Sequence, residues 1–233
     1  MHSLRLSIVI PCLNEADNIL NTLNALQPAR KRGCEIILSD SGSIDKTIDI
    51  AKDIVDKIIN STAGRAIQMN NGAENSNGDI ICFLHADTIA PANIDKIILS
   101  ALDNSDKQWG FFKIKLNHTG FIFRIIEWFI NTRSSLSKVA TGDQGIFITK
   151  TTFNKLSGFA NIVLMEDIEL TKRLKKISDP IVIKQALLTS SRRWEKYGIV
   201  NTVFLMWQLR LRYFFGASPI SLAKKYQTHN AKK

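Results

Sequence analysis

An apolar run, a histidine and an acid stand together in Phe83-Leu84-His85-Ala86-Asp87-Thr88. Residues 80–84 have the length and composition of a buried strand. A carboxylate where such a strand emerges holds a divalent cation against a phosphate, which makes Asp87 the candidate metal residue. His85 is a second ligand, a diphosphate contact or a structural strand-end histidine. A further acidic pair, Glu166-Asp167, opens an amphipathic stretch. One of these carboxylates can take the proton of an attacking hydroxyl. Two acids in a first turn are also what a helix dipole favours. Arg65 stands at a helix start, where a cation is badly placed unless it faces a phosphate. Arg193 can neutralise a leaving anion, and Trp194 can stack on the apolar face of a ring.

The elements that must position these residues are legible in the first ninety positions. Residues 6–10 form an apolar run closed by Pro11. Residues 15–26 have helical spacing, with Ile19, Leu20, Leu23 and Leu26 on one face. Residues 35–38 read as a second buried strand. Ser43 or Asp45 can cap a helix running through Ile48, Ile50 and Ala51. Residues 56–60 read as a short strand, 65–75 as a helix and 79–84 as a strand. This β-α-β-α-β-α-β order predicts an α/β fold with a mostly parallel sheet and right-handed crossovers. Such sheets bind ligands at the carboxyl ends of their strands. Residues 11–14, Asp40 and Asp87 all fall at ends of that kind.

The second half is less regular. Pro91 suits the first turn of a helix reaching Leu102. Residues 109–116 and 145–149 read as strands, and 120–133 as a very apolar helix. A helix over 166–177, a strand over 180–184 and a loop carrying Arg193-Trp194 follow. Residues 199–215 form a long apolar helix candidate. Its residues Val200, Val203, Phe204, Trp207, Leu211 and Phe214 share one face. Asn201, Thr202, Gln208, Arg210 and Arg212 interrupt it, so it falls short of the ~20 apolar residues that span a bilayer. It reads as a core or dimer helix, or as an interfacial helix at a membrane. Residues 229–233 read as a disordered tail.

The 233 residues carry a net charge of +10, and residues 184–233 hold nine of those charges. A basic end of this kind meets nucleic acid, anionic lipid or a phosphorylated substrate. No nucleic-acid motif accompanies it, so no nucleic-acid partner is expected. Cys12, Cys34 and Cys82 cannot all pair and read as buried free thiols of a reducing cytosol. No Cys/His cluster has zinc spacing. The first residues read directly into a strand, so no signal peptide is expected, and the expected location is cytoplasmic or peripheral on the inner face of the membrane.

Five segments follow in order along residues 7–194: Pro11-Cys12-Leu13-Asn14-Glu15, Asp40-Ser41-Gly42-Ser43-Ile44-Asp45, His85-Ala86-Asp87, Glu166-Asp167 and Arg193-Trp194. Together they resemble an inverting family 2 glycosyltransferase of the GT-A type. The resemblance implies a Rossmann-like, mostly parallel central sheet flanked by helices, with a C-terminal helical extension. It implies one domain over 1–233, with a nucleotide-binding half (1–90), an acceptor and catalytic half (91–197) and C-terminal helices (198–227). It implies a nucleotide-diphosphate sugar as donor, a UDP-sugar foremost, and an acceptor hydroxyl. Pro11, Asn14 and Glu15 match the segment that wraps the base and ribose. Asp40 matches the acid that accepts a hydrogen bond from the base, and Arg65 lies where donor-binding residues are placed. His85, Ala86 and Asp87 fill the Asp-x-Asp slot, where Asp87 carries a divalent cation, Mg²⁺ or Mn²⁺. Asp167 matches the catalytic base, with Glu166 beside it. An inverting displacement sets Asp87 and Asp167 facing each other across the cleft. Asp143 and Gln144, after Gly142, resemble a segment near the donor sugar or acceptor.

Three positions depart from the pattern. Ser41 replaces a second acid after Asp40, His85 replaces the first acid of Asp-x-Asp, and Ser190 stands where Gln-x-x-Arg-Trp has its Gln. The last departure argues against a processive polymerase. Within the family, Gly64-Arg65, His85-Ala86-Asp87-Thr88, Gly142-Asp143-Gln144 and the Arg-Arg-Trp segment most resemble small bacterial glycosyltransferases associated with radical-SAM and selenium-domain neighbourhoods, including proteins of arsenosugar biosynthesis. The acid replacements also motivate a rival, a catalytically inactive nucleotide-binding module at a membrane surface. A nucleotidyltransferase of similar architecture needs a phosphate loop after the first strand, and residues 12–15 supply none. A Rossmann dehydrogenase needs G-x-G-x-x-G there, which is absent.

Overall fold

The computed structural model describes residues 4–231, with side chains up to Tyr226. In chain order the elements are β1 (Leu6–Cys12), α1 (Ala16–Arg30), β2 (Glu35–Asp40), α2 (Thr47–Ala51), β3 (Lys57–Asn60), α3 (Arg65–Glu74), β4 (Ile80–Phe83), β5 (Thr88–Ile89) and α4 (Ile94–Asp103). The second half continues with β6 (Trp109–Leu116), α5 (Phe121–Ser137), a 3-10 turn (Gly142–Gln144), β7 (Phe147–Thr149), α6 (Lys150–Lys155), α7 (Glu166–Leu174), β8 (Ile181–Thr189), α8 (Arg192–Tyr197), α9 (Ile199–Phe214) and α10 (Pro219–Ala231).

One sheet runs in the order β3-β2-β1-β4-β7-β6-β8-β5. The β3-β2-β1-β4 half is parallel, as the alternating pattern requires. β7 then pairs antiparallel with both β4 and β6, which makes the whole sheet mixed. β1 is buried at every residue, as expected of a central strand covered on both faces. Successive side chains point to opposite faces. Ile8, Ile10, Ile36 and Leu38 join the cluster under α1, α2 and α4. Val9, Ile37, Ile81 and Phe83 join the cluster under α3, α6 and α7. α3 presses so closely on β1 that a Cβ on Gly72 would stand 2.3 Å from Cγ1 of Val9.

Several boundaries differ from the sequence expectation. Pro11 does not close β1; it pairs with Ser39, and the strand reaches Cys12. Its missing N–H is tolerated because β4 pairs with β1 only as far as Val9, which leaves one flank without a ladder. Pro91 precedes α4 rather than opening it. Arg193-Trp194 lies in helix α8, not in a loop. Pairing with β6 carries β8 on to Thr189. α10 includes residues 229–231, which the composition assigned to a disordered tail; Lys232 and Lys233 lie outside the described residues. The three cysteines are buried and unpaired.

Candidate active site

The carboxyl ends of β1, β2 and β4 open on one side of the parallel half, and the site is built there. Two loops are tied across it. Asn14, at a left-handed φ of 53°, accepts the Ile44 N–H through Oδ1 and donates its own N–H to Ser43 Oγ, both at 2.9 Å. Asp45 accepts the N–H of Ala16 at 3.1 Å, so it caps α1 from another loop, and it also accepts Thr47 N–H. The Glu15 N–H donates to Thr47 Oγ1 at 2.8 Å.

Asp40 sits at the base of this pair of loops and is 4% exposed. Its carboxylate accepts the N–H groups of Gly42 and Ser43 at 2.9 Å, the Ser43 hydroxyl at 2.5 Å and the Cys12 thiol at 3.3 Å. Burial alone would raise its pKa, but these bonds outweigh it and hold the carboxyl below the ordinary value. Four donors fill the lone-pair sites of a carboxylate. In this conformation Asp40 therefore organises the turn, and the open acceptor expected for a base is not present.

A small pocket lies beside these loops. Arg65, His85, Glu166, Asp167, Gly142 and Pro11 line it, over an apolar floor that includes Met69, Phe83, Ile146 and Phe159. Residues from both halves of the chain thus meet: of the expected site residues Pro11, Arg65, His85, Glu166 and Asp167 share this pocket, and Asp87 is not among its lining. Asp167 is the centre of the constellation. Its carboxylate accepts the N–H of Gly142 at 2.8 Å and of Ile168 at 2.7 Å. Burial and the adjacent Glu166 push its pKa to about 6, against the pull of those two N–H groups and of Arg65. Met165, just before the pair, holds a left-handed φ of 72°, a conformation that costs of order 1–3 kcal/mol and clusters at functional sites. Arg65 Nη1 lies 3.9 Å from the buried Glu166 carboxylate.

His85 is half-buried, and its Nε2 is buried with no hydrogen-bond partner. Burial, with the nearby Arg65 charge, lowers its pKa to about 3, so the imidazole is neutral at physiological pH. Gly142 packs against it so closely that a Cβ there would stand 2.6 Å from Nε2. Asp87 lies in the turn between β4 and β5. Burial and then Glu15 raise its pKa, while Arg192 and Arg65 lower it. Arg192 also approaches Glu15 at 3.6 Å. Among the described residues no group of three His, Cys, Asp or Glu side chains is placed to hold a metal. Asp87 alone fits a cation whose other ligands are substrate oxygens and water, which is how Mg²⁺ is commonly held.

The other expected acceptor-side residues are engaged outside the pocket lining. Gln144 is fully buried and accepts from Ser134 Oγ and from Thr141, while its amide donates to the Phe112 carbonyl. It braces the turn that offers Gly142 N–H to Asp167. Trp194 packs with Ile114, Phe123 and Ile126 rather than facing the pocket, because α8 turns its ring onto α5 and β6. Arg193 stacks on Tyr226 at 4.2 Å, with Nε and Nη2 buried and unpartnered. Asp143, half-buried, acts on Arg133 of α5.

Three residues in the surrounding framework were not anticipated. Gln68 donates to the carbonyls of Cys12 and Ser39, bridging the ends of β1 and β2. Asn70 clamps Phe159 through both N–H and carbonyl. Arg133 is desolvated within reach of the Asp143 and Asp167 charges. The signal for Gln68 and Asn70 was the unusual polarity of α3, a helix that covers a sheet.

Residues 7–159, well over half of the chain, match the family model described as Glycosyl transferase family 2. The chain belongs to glycosyl transferase family 2. It is 28% identical over 236 residues to the probable glycosyltransferase YdaM of Bacillus subtilis (strain 168), covering 91% of this chain and 55% of that protein. It is 37% identical over 90 residues to the glycosyltransferase AglE of Haloferax volcanii, covering 35% of this chain and 30% of that one. The chain thus spans about half the length of the first of these relatives and less of the second. Among solved structures, S. aureus TarS 1-349 in complex with UDP superposes with a TM-score of 0.65 at 17% identity, covering 83% of this chain and 62% of that one. Glucosyl-3-phosphoglycerate synthase from Mycobacterium tuberculosis, in complex with Mn²⁺, UDP and glucosyl-3-phosphoglycerate, superposes with a TM-score of 0.61 at 20% identity, covering 84% and 75%. The fold of the family 2 chain is therefore GT-A, as the motif order implied.

Proposed function

We propose that this family 2 chain transfers a sugar from a nucleotide-diphosphate sugar, with a UDP-sugar as the favoured donor, to an acceptor hydroxyl with inversion. The observation that carries the reading is the Asp167 carboxylate, clamped by two backbone N–H groups and raised to about 6, in one pocket with Arg65 and His85. A base with that pKa is largely ionised at neutral pH yet still basic enough to accept a proton.

Asp167 takes the proton of the acceptor hydroxyl as its oxygen bonds to the anomeric carbon. The bond from that carbon to the diphosphate breaks on the opposite face, and the electron pair leaves with the diphosphate. Arg65 offsets the negative charge that develops there. Asp87 would hold Mg²⁺ or Mn²⁺ together with diphosphate oxygens, and that ion would supply Lewis-acid stabilisation of the leaving group. Asn14, Glu15 and Pro11 shape the nucleotide end, with Asp40 fixing the loop against which the base lies. Asp143 and Arg193 border the acceptor and diphosphate side, while Gln144 positions the Gly142 turn.

In this reading residues 1–90 form the donor half, 91–197 the acceptor and catalytic half, and 198–227 the helical extension of a single domain. We place the chain with the small bacterial branch of the family associated with radical-SAM and selenium-domain neighbourhoods, and locate it in the cytoplasm, held peripherally on the inner face of the membrane. The test is thermal melting with a panel of nucleotide diphosphates and nucleotide sugars, with and without Mn²⁺ or Mg²⁺. A shift for one nucleotide, strengthened by cation and lost in Asp87→Ala, is expected. Absence of any shift would remove the basis for the transferase reading.

A further inference from the structure

α9 is apolar on two opposite faces. Thr202, Leu205 and Leu209 point inward, where Leu205 and Leu209 pack on Met165 and Ile168 beside the acidic pair of α7. On the other side Val200, Phe204, Trp207, Leu211 and Phe214 recur at helical spacing, each between 59% and 78% exposed. These five form a single outward stripe. These five side chains are therefore not core, which leaves the dimer and interfacial readings of this face. A contiguous exposed stripe of large apolar residues marks an interaction surface rather than ordinary surface composition.

The charges beside the stripe identify what covers it. At 100° per residue, Arg210 falls at the stripe's flank, about 80° from its axis, and the exposed Arg212 about 120° round on the other side. Lys225 of α10 lies near Arg212, and slight desolvation, followed by that like charge, lowers the Lys225 pKa. Residues 184–233 contain one acid, Glu195. The Glu195 carboxylate accepts a hydrogen bond from Ser191 Oγ rather than facing these cations. A second copy of the chain would bring the same positive charges against one another. An anionic bilayer supplies both an apolar interior for the stripe and negative headgroups for its flanks. No described helix is long and apolar enough to cross a membrane, which fits a helix lying in the interface.

We propose that the outward face of α9, with Arg210, Arg212 and Lys225, docks this protein on an anionic lipid bilayer. This deepens the peripheral location inferred above and is independent of the transfer chemistry. Because the inward face of α9 seats Met165 and Ile168, docking sets the candidate base about one helix diameter, ~10 Å, from the lipid surface.

The test is co-sedimentation of the full chain with vesicles of phosphatidylcholine alone or mixed with phosphatidylglycerol, at low and high salt. Binding is expected on the mixed vesicles only, falling as salt rises. Phe204→Ser combined with Phe214→Ser should weaken it by about tenfold or more, since burial of one aromatic side chain outweighs the ~1.4 kcal/mol that a factor of ten represents. The melting temperature, and any shift produced by UDP, should stay unchanged in that variant. Arg210→Gln with Arg212→Gln should remove the preference for phosphatidylglycerol, a readout that holds even if the aromatic variant fails to fold. Equal binding by wild type and both variants, or no binding to the mixed vesicles, would overturn the proposal. A wild-type dimer in solution that the aromatic variant converts to monomer would overturn it in favour of a second copy. A missing UDP shift alongside intact vesicle binding would count against the transferase reading and leave the docking surface standing.

Discussion

At the scale of single residues, Asp167 trades stability for reactivity. Its folded pKa is raised to about 6 from 3.8, so between those values the folded chain keeps a proton that the unfolded chain has lost. Stability from this group therefore falls as pH rises through that window and stays low above it. Asp167→Asn removes the buried charge, so its melting temperature should exceed wild type at pH 8 and converge with it near pH 4. The same variant should retain any donor-induced melting shift and lose about 10²- to 10⁴-fold in transfer rate. Wild-type kcat should climb with pH up to about 6 and then level, an acid limb that a pH series of initial rates will show. Gly142 serves the same carboxylate through its N–H while lying against Nε2 of the half-buried His85. Gly142→Ala puts a Cβ 2.6 Å from Nε2, so melting temperature and rate should both fall. Combining it with His85→Ala should give a chain more stable than the sum of the two single losses, because the two positions share one contact.

At the scale of elements, the strands were legible wherever one physical pattern dominated. The buried runs of β1, β2 and β4 alternate across two cores, and that alternation is written in apolar residues alone. β6 was legible to its ends for the same reason. β5, two residues long, exists only because it pairs with β8, and no local pattern announces it. α8 was missed because Arg192-Arg193-Trp194 has no amphipathic period, and its ring is held by distant partners on α5 and β6. α3 shows how a polar surface can mislead. Gln68 and Asn70 satisfy backbone groups of other elements, while Gly72 allows the helix to approach β1. Gly72→Ala should force α3 away from Val9 and cost about 1–3 kcal/mol, as overpacking commonly does. Chemical denaturation should show that loss, and Val9→Ala in the same chain should recover part of it.

At the scale of the whole molecule, the site is a meeting of strand ends from one half with α7 and the Gly142 turn from the other. The residue types were readable because each acid stands at an element boundary. Their assembly was not, since the hydrogen bond from Gly142 to Asp167 spans 25 residues and the Arg65–Glu166 approach spans about a hundred. The most distant coupling runs through the C-terminal extension. Met165, strained at φ 72°, and Ile168 bracket the acidic pair, and both rest on Leu205, Leu209 and Leu222. A left-handed methionine persists only when its surroundings over-determine it. Removing part of that support should loosen the pair without touching the strand-end loops that shape the nucleotide side. Leu209→Ala, at a fully buried position, should cost about 2–5 kcal/mol of stability. Below its own melting range it should also lower kcat while leaving the affinity for nucleotide diphosphate unchanged, read by rate assays and by calorimetric titration. Equal losses in both would mean that α9 supports the sheet as a whole rather than the base in particular.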